Sequence, residues 1–197
     1  MASDANHPYT KQQHSLITQP LNPKMGTSHL ICLYYNGRIV VAQYGGHDGY
    51  PSYTGREIMD FLSDARYIRR LQANISLIRY RKSRSPGDYC DDDSGLQILD
   101  AIAYAREPVL HSSGLEFAND GGICEWSYVV DLDAEVLEVY CGVSGLGRMG
   151  VRPAMRGRLA EAGITQQVLK VSIPCIDLPG DKEELVEACT AGFGDVF

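Results

Sequence analysis

Two apolar runs, Ser28–Tyr35 and Arg38–Tyr44, stand on either side of Asn36-Gly37. An Asn-Gly connection suits a type I′ turn, which needs positive φ at both central residues, so the pattern predicts a β-hairpin. Neither run alternates. Leu30, Cys32 and Tyr34 project one way and Ile31, Leu33 and Tyr35 the other; in the second strand Ile39 and Val41 oppose Val40 and Ala42. A strand apolar on both sides is covered on both sides, which places this hairpin in an inner sheet.

The period then changes from two to about 3.6. Thr54-Gly55-Arg56-Glu57 reads as a capping box opening a helix with Ile58, Phe61, Leu62, Ala65 and Ile68 on one face. The pattern fades near Ala73, and Ile75–Arg81 fits a continuation or a short strand. Lys82–Asp93, rich in Ser, Pro, Gly and Asp, reads as a loop. Ser94-Gly95-Leu96-Gln97 is a second capping box, before a helix that turns Leu96, Leu99, Ile102 and Ala103 inward and ends near Arg106. Pro108–Ile123 reads as mostly irregular.

Glu125–Leu132 and Val136–Cys141 predict a second hairpin around Asp133-Ala134. There Trp126, Tyr128 and Val130 alternate with Ser127, Val129 and Asp131, so this pair is expected half-exposed. A connector over Gly142–Gly150, a short helix between Pro153 and Gly163, a strand at Gln167–Ile173 and a helix capped at Asp181 complete the chain. Grouped hairpins and helices predict an α+β fold, with antiparallel sheets sandwiched between outer helices. The hairpins can be neighbours in one sheet or stacked in two.

Composition narrows the class. The chain has 197 residues, 44% apolar and 22% charged, which suits one globular domain over residues 25–197. The first 24 residues are polar and carry no apolar stripe; they read as a disordered tail, a propeptide or a targeting segment, and Met25 can serve as an alternative start. They have no apolar signal-peptide core, and no stretch approaches the ~18 apolar residues of a membrane span. A net charge of −7 argues against nucleic acid or an anionic membrane as main partner. Six cysteines without a C-x-x-C or zinc-finger spacing point to a reduced, cytoplasmic protein with no metal and no cofactor.

Four constellations could carry chemistry. The first is Gly26-Thr27, followed by LICLYY, Asn36-Gly37 and RIVVA. Over these roughly twenty residues the chain resembles the N-terminal nucleophile (Ntn) hydrolases, most closely the proteasome-type β-subunits. The resemblance implies a propeptide cut at Gly26-Thr27 and an Ntn sandwich. It also implies a Thr27 nucleophile whose freed amine, with a pKa of ~8, takes the proton of its own hydroxyl. Gln43 stands where the family has an aspartate, and no lysine occurs between Lys24 and Lys82. Arg56 is the nearest cation, and a guanidinium does not accept a proton. An Ntn-like scaffold that binds rather than cuts is therefore the preferred expectation, with an amide hydrolase or acyl transferase as alternative.

The second is the loop Gln43-Tyr44-Gly45-Gly46-His47-Asp48-Gly49-Tyr50-Pro51. His47 beside Asp48 forms a candidate acid/base pair with Thr27, and Gln43, Tyr44 and Tyr50 are candidate ligand-binding residues. The expected partner is a small molecule or a protein. The same loop is also the ordinary composition of an ordered turn, since Asp48-Gly49 and Tyr50-Pro51 are standard turn and extended pairs. The stretch G-T-x-x-L…A-Q-Y-G-x-x-D-G-Y-P, with EWSYVVDLDAEVLEVY and IPCIDLPGDKEEL, resembles uncharacterised microbial and fungal proteins, a likeness that spans most of the chain after Met25 and brings no activity with it.

The third is Gly145-Leu146-Gly147-Arg148-Met149-Gly150. A dinucleotide site needs this motif inside a parallel βαβ unit. The strand before it belongs to an antiparallel hairpin, so a surface loop is expected. The fourth is the basic segment Arg66–Arg84, with six arginines and Lys82 before a run of aspartates, which could hold a phosphate or nucleic acid or simply form a solvated face.

Overall fold

The computed structural model describes residues 27–81, 95–143 and 156–190. The 1–24 tail, Lys82–Asp93 and the glycine motif at 145–150 lie outside the described residues.

Strands β1 (His29–Tyr35) and β2 (Arg38–Gly45) form the first hairpin, with φ of 50° at Asn36 and 73° at Gly37 as the Asn-Gly turn requires. Strands β5 (Trp126–Asp131) and β6 (Val136–Gly142) form the second, and β7 (Gln167–Pro174) follows. All five lie in one mixed sheet of order β2-β1-β5-β6-β7. The hairpins are thus neighbours. Pairing is antiparallel within each hairpin and between β6 and β7, and parallel where β1 meets β5. The parallel pairing follows from the connection: two parallel neighbours need a crossover of a dozen or more residues, and the helices between β2 and β5 supply it. A second, two-stranded parallel sheet pairs β3 (Ile78–Tyr80) with β4 (Val109–His111). The fold is α+β.

Both faces of the main sheet are covered, as the unbroken apolar runs imply. One face carries Ile31, Leu33, Tyr128, Val130, Leu137 and Val139, packed against helices α1 (Arg56–Leu62), α2 (Ala65–Asn74), α3 (Gln97–Ala103) and α5 (Lys182–Thr190). The other carries Leu30, Cys32, Tyr34, Val129 and Tyr140, under a 3-10 turn at Leu115–Asn119 and the short helix α4 (Arg158–Glu161).

Several local expectations change. The Thr54 capping box does not form. Helical winding starts earlier, as a π-turn over Pro51–Gly55, and the Thr54 hydroxyl instead donates to the Asp48 carbonyl at 2.7 Å. The expected single helix is two. The chain breaks at Ser63, and Asp64 caps α2 by accepting the Arg66 amide, which leaves Ala65 exposed rather than inward. Ile75–Arg81 resolves into a 3-10 turn and β3. The second hairpin is buried rather than half-exposed: every residue of β5 is buried, Ser127 and Asp131 included, because their polar groups find partners inside.

One irregularity shapes the site. A bulge between Leu33 and Tyr34 sets Leu33 opposite Val41, where a regular two-residue hairpin would set Val40. Val40 and Val41 consequently both reach the helix-covered core, and His29 faces Gly45 instead of Tyr44. The outer edge of β2 is closed by side chains and loop backbone. Tyr80 donates its hydroxyl to the Val40 carbonyl at 2.9 Å, His111 Nε2 accepts the Ala42 amide at 3.1 Å, and the Gly114 amide donates to the Ala42 carbonyl at 2.8 Å.

Candidate functional site

The Gln43–Pro51 loop leaves the end of β2 and folds back over the head of β1. Backbone bonds hold it there. The Gly49 amide donates to the Thr27 carbonyl at 3.0 Å, and the Asp48 carbonyl accepts from the Thr54 amide at 3.2 Å as well as from its hydroxyl. Tyr128, from β5, donates its hydroxyl to the Gly49 carbonyl at 2.8 Å. Asp48 takes the left-handed conformation, φ 55°, that makes this reversal possible.

The loop encloses a residue that reading the sequence passed over. His29 is 1% exposed and its ring lies among glycines. A Cβ at Gly45 would overlap the imidazole. One at Gly49 would lie 2.7 Å from the His29 Cβ and 2.6 Å from the Thr27 carbonyl, and one at Gly95 3.2 Å from Nε2. Three glycines give the imidazole its room. The Tyr128 ring meets it edge-on, with centroids 6.4 Å apart.

Neither ring nitrogen of His29 meets the geometry of a hydrogen bond, although the Thr27 carbonyl lies close enough to favour its protonated form. Burial lowers its pKa from 6.5 to about 4, against the opposing pull of the Thr27 carbonyl and the Asp48 carboxylate, while His47 adds to the lowering. The ring is therefore neutral at pH 7, one nitrogen a donor and the other an acceptor. The signals that could have found it were a histidine in an otherwise apolar strand and a glycine-rich loop at that strand's level. The bulge hid their pairing.

Thr27 is buried at the head of β1, while His47 and Asp48 are exposed on the loop. All three surround His29, the latter two closely enough to act on its charge. The candidate ligand residues do not converge. Gln43 is buried on the helix-covered face, its amide donating to the Tyr44 carbonyl at 3.1 Å. Tyr44 lies on the opposite face, its ring edge-on to Phe117 at 4.8 Å. Tyr50 is exposed.

A second buried polar cluster lies on the other face. Arg158 donates through Nε to Asp131 at 2.6 Å and through Nη1 to Glu161 at 3.0 Å, and its guanidinium lies 4.5 Å over the Tyr34 ring. Tyr34 donates to Glu161 at 3.1 Å, and Tyr140 donates its hydroxyl to Glu138. Glu138 also accepts the Arg158 amide at 2.9 Å, and the other Asp131 oxygen accepts the amides of Asp133 and Ala134. The cluster fastens α4 to the sheet.

The described arginines of the basic segment are dispersed. Arg66 pairs with Asp64, holding that carboxyl down at about 2; Arg70 lies 4.7 Å from the Tyr104 ring; Arg79 donates to the Ser76 and Ile78 carbonyls. The five described cysteines are free and buried, and burial pushes Cys124 up to about 12, so it is a protonated, unreactive thiol at neutral pH. Among the described residues, no group of three or more His, Cys, Asp or Glu could hold a metal, and no helix is long and apolar enough to cross a membrane.

No protein-family model, curated protein or solved structure matches the chain.

Proposed function

We propose that the protein is a binding domain that takes a small polar ligand at the Gln43–Pro51 end of the sheet, with His29 as the recognising group. The observation that supports this is the buried imidazole whose two nitrogens are both unpartnered. Each unmet buried group costs about 1–3 kcal/mol, and such groups in folded proteins call for a reason. A small polar group meets one of these nitrogens once the loop admits it: an amide or hydroxyl donor the bare one, a carbonyl or carboxylate acceptor the protonated one.

The test is a thermal-shift panel of small amides, carboxylic acids and alcohols on wild type and His29→Leu. One class should raise the Tm of wild type and leave the variant unmoved. Equal response of the two proteins, or no response from any class, overturns the reading.

Amide hydrolysis by Thr27 is the second reading, favoured by the placement of Thr27 at the head of β1 beside a neutral histidine. Against it stand Gln43, which is not ionisable, and the absence of a lysine from residues 27–81. Intact mass separates the two: a purified chain beginning at Thr27 favours the hydrolase, and an uncut chain removes the free-amine mechanism.

A further inference from the structure

A cavity of about 250 Å³ opens at the other end of β2, between the Asn36-Gly37 turn and β3. Its floor is apolar, made by the buried side chains of Val40 and Ile78. Tyr35 and Tyr80 also line it, and the Tyr80 ring is tethered by its hydroxyl bond to the Val40 carbonyl. The rim is polar and cationic. Arg38 lines it, exposed and with no acid partner among the described residues, and Ser76 lines it too. Arg79 is not part of the lining; its guanidinium donates to the carbonyls of Ser76 and Ile78, which are. The neighbouring acid, Asp133, holds the turn: its two oxygens accept the Asn36 and Gly37 amides, each at 3.0 Å.

An apolar floor flanked by tyrosine rings selects a flat, hydrophobic body. A guanidinium with no ion pair among the described residues selects a planar anion, which it grips with two parallel hydrogen bonds. We propose that this cavity binds a small aromatic carboxylate, ring on Val40 and Ile78 and carboxylate on Arg38. The site lies ~20 Å along β2 from His29 and does not depend on the function proposed there.

The probe is sodium benzoate, titrated into the full chain and followed by amide chemical shifts. Saturable shifts should centre on Asn36, Arg38, Ser76 and Tyr80, with a Kd in the ~0.1–1 mM range open to a ligand of this size. Benzamide, the neutral isostere, should bind wild type about tenfold more weakly, and Arg38→Gln should weaken benzoate by about the same factor. Inorganic phosphate, which lacks the ring, should also bind more weakly. The proposal is overturned by shifts that do not saturate, by shifts that map to the Gln43–Pro51 end, or by benzamide or phosphate matching benzoate on wild type. That last comparison needs no variant and decides the matter if Arg38→Gln fails to fold.

Discussion

The two buried polar clusters are built on opposite principles. Around Arg158, Asp131 and Glu138 each buried group has at least one partner, and the ionised side chains lie beside opposite charges or backbone amides. Around His29 the packing is just as close, yet neither ring nitrogen is bonded. Among the described residues, the only other buried side-chain nitrogen or oxygen left without a partner is Nδ1 of His111, whose Nε2 is in use. A satisfied network is explained by what it fastens, here α4 against β5 and β6. An unsatisfied one inside an equally compact protein calls for a reason of its own, an ordered water, strain or a ligand, and this contrast makes the His29 end the better functional candidate.

The contrast can be broken most forcefully from the network side. Arg158→Ala leaves the Asp131 carboxylate, 2% exposed, without its counter-charge. Loss of one partner of a buried pair costs about 3–5 kcal/mol, so the urea midpoint should fall steeply. A loss below ~1 kcal/mol would show that the cluster is solvated and the contrast false.

Acid titration is the next largest effect. His29 and His111 both have folded pKa values of about 4 against 6.5, burial being the cause in each. The unfolded chain therefore binds protons between these values that the folded chain refuses. Stability is complete above about pH 6.5 and is lost as the pH falls toward 4, by up to about 3 kcal/mol per histidine. His29→Leu should remove about half of that slope in pH-dependent unfolding. An unchanged slope would mean that His29 titrates normally in the folded state.

Gly45→Ala tests the cradle itself. The new methyl overlaps the imidazole, a case of overpacking that costs about 1–3 kcal/mol. His29→Ala vacates that space, so the double variant should recover part of the loss, with a coupling of at least about 1 kcal/mol. Strict additivity in chemical denaturation would rule out the contact.

The smallest effect carries the sharpest sign. At pH 7 and without ligand, His29→Leu replaces two unmet polar atoms with an apolar side chain. It should leave stability unchanged or raise it by about 1 kcal/mol. Tyr34→Phe, which deletes one bonded hydroxyl of the network, should lower it by a similar amount. Substitutions at both places that destabilise equally would erase the distinction between the clusters.

Much of the frame was legible in the chain. Asn36-Gly37 specified its turn, the unbroken apolar runs required cover on both faces, and Asp181 was readable as a cap whose carboxylate accepts the Glu183 amide. The helix start at Thr54 was misread because a hydroxyl followed by glutamate is a local signal. The long-range closure onto Asp48 competes for the same oxygen and wins. Ser127 and Asp131 looked like an outward face because alternation reports polarity, and polarity reports exposure only where no internal partner exists.

By itself, then, the sequence determined which segments pair locally and that the first hairpin is interior, since backbone conformation and apolar burial are encoded within a few residues of each other. Tertiary structure decided the parallel joining of β1 to β5, the bulge at Leu33 and the pairing of His29 with Gly45. A strand's side chains repeat every two residues, so a one-residue slip changes every partner beyond it, and only the packed sheet selects the register.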